Sequence, residues 1–197
     1  MSRLRRFGDI NSGNYAIFAY DGELTLHGTA RVSKNIWVPA GATNAAGVNP
    51  ATKGLNGNGF SILSFADNLD KWCQMNLKIP DDMDRSADST ICIGWSSPTT
   101  SENAMWGAIH LITAIGDSTD TAGTTTPLGL KMSSATADGL VVSNLITLAG
   151  GTIAADAVCI HLQIHRDGSD GDDTLGAVAE LHGVAFSYIA NALGVAT

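Results

Sequence analysis

Strict alternation of apolar and polar residues is the feature that most restricts what this chain can fold into. Cys73, Met75, Leu77 and Ile79 fall on one side of an extended chain, and Trp72, Gln74, Asn76 and Lys78 on the other. Val158, Ile160, Leu162 and Ile164 likewise oppose Cys159, His161, Gln163 and His165. A period of two belongs to a strand with two unlike faces, because a helix would scatter the same residues around its axis. Ile91, Ile93 and Trp95 repeat the pattern after a polar turn at residues 81–88, and Leu24, Leu26, Gly28, Ala30 and Val32 repeat it over residues 23–32. Residues 106–115, 140–148 and 183–189 are almost wholly apolar, as expected of strands that are central in a sheet or lie at an interface. No long segment has the helical period, although residues 99–105 and 190–195 each have room for a helical turn. Gly, Pro, Asn, Asp and Ser clusters separate the segments. The expected fold class is therefore all-β, an antiparallel β-sandwich of about eight to ten strands with long loops.

At 197 residues the chain suits one domain, expected over residues 14–197, preceded by a basic arm at residues 1–13. Arg3, Arg5 and Arg6 leave eight Lys/Arg against nineteen Asp/Glu from Phe7 onward, a balance of −11. A body that acidic repels phosphate, so no nucleic-acid partner is expected of the fold. The arginine cluster reads either as a short arm meeting an acidic neighbour or as a solvated terminus. Only 15% of residues are charged, which suits a chain with part of its surface sheltered by neighbours, or a turn-rich β protein built from small residues. Residues 41–59 and 116–129 are long Gly/Ala/Asn- and Thr-rich stretches, expected as loops, which in an assembling protein often lie over another subunit. There is no apolar run long enough for a membrane span and no signal-peptide pattern at the start. Cys73, Cys92 and Cys159, odd in number and without CxxC spacing, read as small buried hydrophobes in a chain made in a reducing compartment.

Candidate chemistry is sparse. Asp167, Asp170, Asp172 and Asp173 crowd one Gly-containing loop, as oxygen ligands for Ca²⁺ do, but lack the EF-hand spacing; an acidic hairpin turn accounts for them equally. Asp81, Asp82, Asp84 and Asp88 read the same way. His161 and His165 share a strand face but sit about 13 Å apart at the strand rise, too far to bind one metal together. With Cys159 and Gln163 they form a semi-polar row suited to a subunit contact or a hydrogen-bonded sandwich face; His182 is remote in sequence. No nucleophile elbow or Cys–His motif is present, so no enzyme is expected. The glycines of residues 54–59 precede a strand-like segment, so the helix terminus that a phosphate cradle needs is missing. Of Trp37, Trp72, Trp95 and Trp106, Trp72 points away from its aliphatic face and is the candidate for stacking on a sugar, whereas Trp95 shares a face with Ile91 and Ile93.

The segment at residues 79–100, with an Ile-Pro-Asp-Asp turn followed by a strand ending in Trp95, resembles a pattern in bacteriophage structural proteins. Residues 158–188, with a strand, an Arg-Asp-Gly loop and a returning strand ending in Tyr188, resemble the C-terminal hairpin of the same proteins. The resemblance implies a jelly-roll-like sandwich that serves as a capsid decoration, head-appendage or tail-associated protein. It also implies a homo-oligomer, commonly a trimer, docked on a major capsid or other virion protein. Arg3, Arg5, Arg6 and Trp72 are the expected interface residues, and the virion the expected location. The alternative expectation is a receptor- or carbohydrate-binding module of a phage fibre. A hydrolase would need convergent carboxylates or a metal in a pocket.

Overall fold

The computed structural model describes residues 5–18, 24–28, 31–190 and 192–193. Two antiparallel sheets face each other. One is five-stranded, in the order β11 (Thr124–Met132), β10 (Asn103–Ala114), β13 (Ala157–Asp167), β8 (Asp70–Lys78) and β5 (Asn44–Ala45). The other is six-stranded: β12 (Val141–Leu148), β9 (Ser89–Ser96), β14 (Ala179–Ala190), β7 (Ser61–Phe65) and β6 (Thr52–Leu55), with β4 (Val32–Pro39) also paired to β14. From β7 to β10, and again from β11 to β14, successive strands belong to opposite sheets, so strands distant in sequence become neighbours. This is the jelly-roll-like sandwich, whose long crossovers tie the sheets together.

The alternation read from the sequence builds the core. Met75 and Leu77 of β8 and Ile160, Leu162 and Ile164 of β13 face Ile91, Ile93 and Trp95 of β9 and Val184, Phe186 and Tyr188 of β14, all buried in one cluster. Phe65, Trp106 and Trp95 meet at its centre, with ring centroids 4.8 Å apart for Phe65–Trp106 and 5.8 Å for Trp95–Trp106. Cys73, Cys92 and Cys159 are free thiols, and burial pushes that of Cys73 up to about 12.

Several expectations are corrected. The strand expected across residues 23–32 is broken: β3 (Leu24–Leu26) ends before Gly28, which takes the left-handed φ of +61° that stops a strand of L residues. Residues 99–105 hold no helical turn; they run through a bend into β10. Within 190–195, Ala190 ends β14, and β15 (Ala192–Leu193) pairs with β3. The second loop is shorter than expected, because Thr124–Met132 is strand β11. The first loop contains β5 and β6. Arg5–Asp9, placed in an arm by the sequence reading, forms strand β1 against β2 (Asn14–Phe18) in a small sheet with β3 and β15. Arg6 is exposed there; Arg3 and the side chain of Arg5 lie outside the described residues.

Candidate ligand-binding groove

The outer face of the five-stranded sheet is where the polar half of the alternation is displayed. Register aligns the two semi-polar rows: Trp72 opposite His165, Gln74 opposite Gln163, and Asn76 opposite His161. On the next strand Ile109 and Leu111 oppose Gln163 and His161, and on the other side Asn44 of β5 opposes Gln74. Of these, Asn44, Gln74, Asn76, Ile109, Leu111, His161 and Gln163 floor a groove of about 580 Å³, walled by Thr119 and Thr121 of the connection into β11 and by Thr125. Gly123 lets that connection lie close to β10, since a Cβ there would come within 2.7 Å of Ile109 and 2.9 Å of the His110 carbonyl oxygen.

Among the described residues, no carboxylate, ammonium or guanidinium group lines the groove. Its imidazole is tethered at both nitrogens: His161 Nε2 lies 3.1 Å from Thr113 Oγ1, and Nδ1 lies 3.0 Å from Asn76 Oδ1. With the proton on Nδ1, the ring donates to Asn76 and accepts from the Thr113 hydroxyl, so one neutral tautomer satisfies both contacts. By contrast, the carboxamides of Asn44, Gln74 and Gln163 are exposed and have no partner within the described protein. Each offers a donor pair and an acceptor side by side, which matches the hydroxyl groups of a ligand that themselves donate and accept.

Trp72, on the same strand as Gln74, is placed differently from expectation. Its indole stacks on His165 at 3.9 Å, and its Nε1–H donates to Asp70 Oδ2 at 2.9 Å, leaving it half-buried. His165 in turn lies over Gly107, where a Cβ would come within 2.6 Å of the ring. Burial lowers the His165 pKa below its ordinary value, opposed by the charges of Asp70 and Asp167. The ring is thus packed flat under the indole.

The acidic candidates are used structurally. Asp173 does not join a metal shell; it pairs with the fully buried Arg166 through both carboxylate oxygens, at 2.8 and 2.9 Å. Asp167 accepts from the backbone N–H and the hydroxyl of Ser169, and Asp170 accepts from the Asp172 backbone, so the loop is a series of Asp turns. Asp81 pairs with Lys78, Asp82 with Lys34 and Tyr188, Asp84 with Arg31, and Asp88 accepts the Gly150 N–H. Among the described residues no group of three or more His, Cys, Asp or Glu side chains could hold a metal ion. The carboxylates of Asp167, Asp170 and Asp173, expected with Asp172 as calcium ligands, are thus engaged by backbone, hydroxyl and arginine donors. His182 sits on the opposite sheet, bonded to Ser96.

Solved structures similar to this one include several carbohydrate-binding modules and a virus structure. A family 35 carbohydrate-binding module from Clostridium thermocellum has 9% identity and a TM-score of 0.48, over 78% of this chain and 97% of its own. The C-terminal family 6 module of the laminarinase LamC from Zobellia galactanivorans has 10% identity and a TM-score of 0.44, over 78% and 99%. The infectious bursal disease virus structure (Gx strain) has 9% identity and a TM-score of 0.35, over 97% and 38%. No known family matches the sequence, and no curated protein matches it. At such identities the likeness is one of fold.

Proposed function

We propose that the chain is a non-catalytic binding module for an uncharged glycan, held in the groove on the outer face of the five-stranded sheet. One observation carries this reading: among the described residues, three unpartnered carboxamides, Asn44, Gln74 and Gln163, converge in a groove that no charged side chain lines. A charged ligand would find no counter-charge there, whereas a polyhydroxylated one finds paired donors and acceptors, with Ile109 and Leu111 to cover its C–H surface. Screening against a panel of neutral oligosaccharides tests the reading. Binding is expected to at least one member, and Gln74→Ala with Gln163→Ala is expected to weaken it by about tenfold or more, for two lost hydrogen bonds, without changing the melting temperature. Absence of binding across the panel, or binding unmoved by the double variant, would sink it.

A second reading, a structural subunit of a virion, is favoured by a separate observation. Strands β11 and β12 end their sheets on the same side of the sandwich. There Leu130, Met132, Leu140 and Val142 are 49–60% exposed, and the outer edges of these strands are left unpaired among the described residues. Burying such an edge against sister subunits would satisfy both the backbone and the apolar side chains. Under this reading, light scattering at micromolar concentration gives the mass of a trimer, and Val142→Asp with Met132→Asp gives that of a monomer. A monomeric parent protein rules it out.

A further inference from the structure

We propose a second ligand site, on the outer face of the six-stranded sheet, that takes a sugar bearing a protonated amine. It is independent of the groove and begins with Trp37. In the β14–β9 pairing Gly183 stands opposite Gly94, and Trp37 of β4 lies across both. A Cβ at Gly94 would sit 2.4 Å from the indole Cη2, and one at Gly183 would sit 2.5 Å from Cε2 and Cζ2. Neither glycine has a left-handed φ, so what both supply is room for the ring. The indole rests on bare backbone of two strands, yet remains 44% exposed. An aromatic side chain seated on its own sheet with that much of its surface in solvent is an open stacking platform.

The chain next to this platform forms a pocket. His182, the residue before Gly183, bonds through Nε2 to Ser96 Oγ at 2.8 Å. Together with Asn58, Asp138 and Glu180 they line a cavity of about 460 Å³. Asp138 and Glu180 have no side-chain hydrogen bond or ion pair within the described protein, and no lysine or arginine lines the pocket. A neutral sugar seated here would donate hydroxyl hydrogen bonds to the two carboxylates but bring no positive charge to offset theirs. An ammonium group supplies that charge through charge-assisted hydrogen bonds. The indole face accommodates both the C–H face of a pyranose and a nearby cation. The hydroxyl of Ser96, the imidazole of His182 and the amide of Asn58 then answer the sugar's hydroxyls, a set that a lysine or arginine side chain would leave unused. An aminosugar is the ligand that meets all of these groups.

Calorimetric titration of the full chain with a β-1,4-linked glucosamine tetrasaccharide, below the pKa of its amines, tests the assignment. Binding is expected, weakening with added salt and about tenfold weaker for the N-acetylated tetrasaccharide. Trp37→Ala and Glu180→Gln are each expected to weaken it by about tenfold, whereas Trp37→Phe, which keeps a ring on the glycines, retains most of it. The variant Gln74→Ala with Gln163→Ala leaves this binding unchanged, which separates the site from the groove. Four results would overturn the proposal: no binding of the amine form, equal binding of the acetylated form, binding indifferent to Glu180→Gln, or tighter binding of a tetralysine peptide. Because Glu180→Gln alters no packing, its outcome stands even if Trp37→Ala fails to fold.

Discussion

Replacing Asp173 with alanine is expected to destabilise the protein by about 3–5 kcal/mol, and to lower its melting temperature by roughly 10 °C for a chain of this size. The reason is the environment of Arg166, whose side chain is fully buried at the end of β13. All five of its N–H donors are used. Nε donates to Asp173 Oδ2 at 2.9 Å, Nη1 to the carbonyls of Phe65 at 3.1 Å and Ala177 at 2.7 Å, and Nη2 to Asp173 Oδ1 at 2.8 Å and Leu175 O at 2.6 Å. Asp173 also accepts the backbone N–H groups of Met105 at 2.9 Å and Leu175 at 3.1 Å. The pair therefore joins β7 of one sheet to β10 and β13 of the other and fixes the returning loop. Without Asp173 a guanidinium remains in the interior with carbonyl partners but no counter-charge, which is far costlier than losing an exposed pair. Arg166→Met strands the carboxylate instead. Arg166→Met combined with Asp173→Ala should be less damaging than the sum of the two single changes, because neither charge is then left alone. Urea unfolding of the four proteins measures this. An Asp173→Ala variant as stable as the parent would show that the pair does not hold the two sheets together.

Arg166 also shows how far the sequence could be read. Residues 167–173 have the composition of a solvated acidic turn, and the calcium reading followed from that local view. Yet carrying the alternation of β13 one step past Ile164 places Arg166 on the core side. A charge at an inward position demands a buried partner, and Asp173 is the carboxylate that the loop brings back. The strands with two unlike faces, β8, β9 and β13, were legible because a period of two survives any arrangement of the rest. Strand β11 was not, since an edge strand of sequence Thr-Thr-Thr-Pro-Leu-Gly-Leu-Lys-Met buries little and so carries a weak pattern. The groove lay between these cases. Its polar rows were visible as Gln74, Asn76, His161 and Gln163. What made them a site was the register setting Gln74 against Gln163, 89 residues away along the chain, and no local signal encodes such a pairing. The glycines beneath Trp37 were likewise invisible, because their meaning depends on a third strand lying across them.

The other large effect is expected at the centre of the core, where two tryptophans of similar burial should answer differently to the same change. Trp106→Ala removes the ring that touches both Phe65 and Trp95, and should cost about 3–5 kcal/mol through lost contacts and the cavity left behind. Substitution by phenylalanine separates packing from polarity. The indole N–H of Trp95 donates to Ser143 Oγ at 3.2 Å, whereas that of Trp106 is buried with no partner. An unsatisfied buried donor carries a desolvation penalty of about 1–3 kcal/mol, and Trp106→Phe removes it along with part of the ring. The two terms oppose each other, so Trp106→Phe should cost less than Trp95→Phe, which forfeits both area and a hydrogen bond. Trp106 shares β10 with Ile109 and Leu111 of the groove floor, so the alanine variant should also loosen ligand binding, while the phenylalanine variant preserves it. Chemical denaturation of the three single variants decides the order. If Trp106→Phe proves the more damaging of the two phenylalanine changes, packing alone governs this core and the unpaired indole N–H costs nothing measurable.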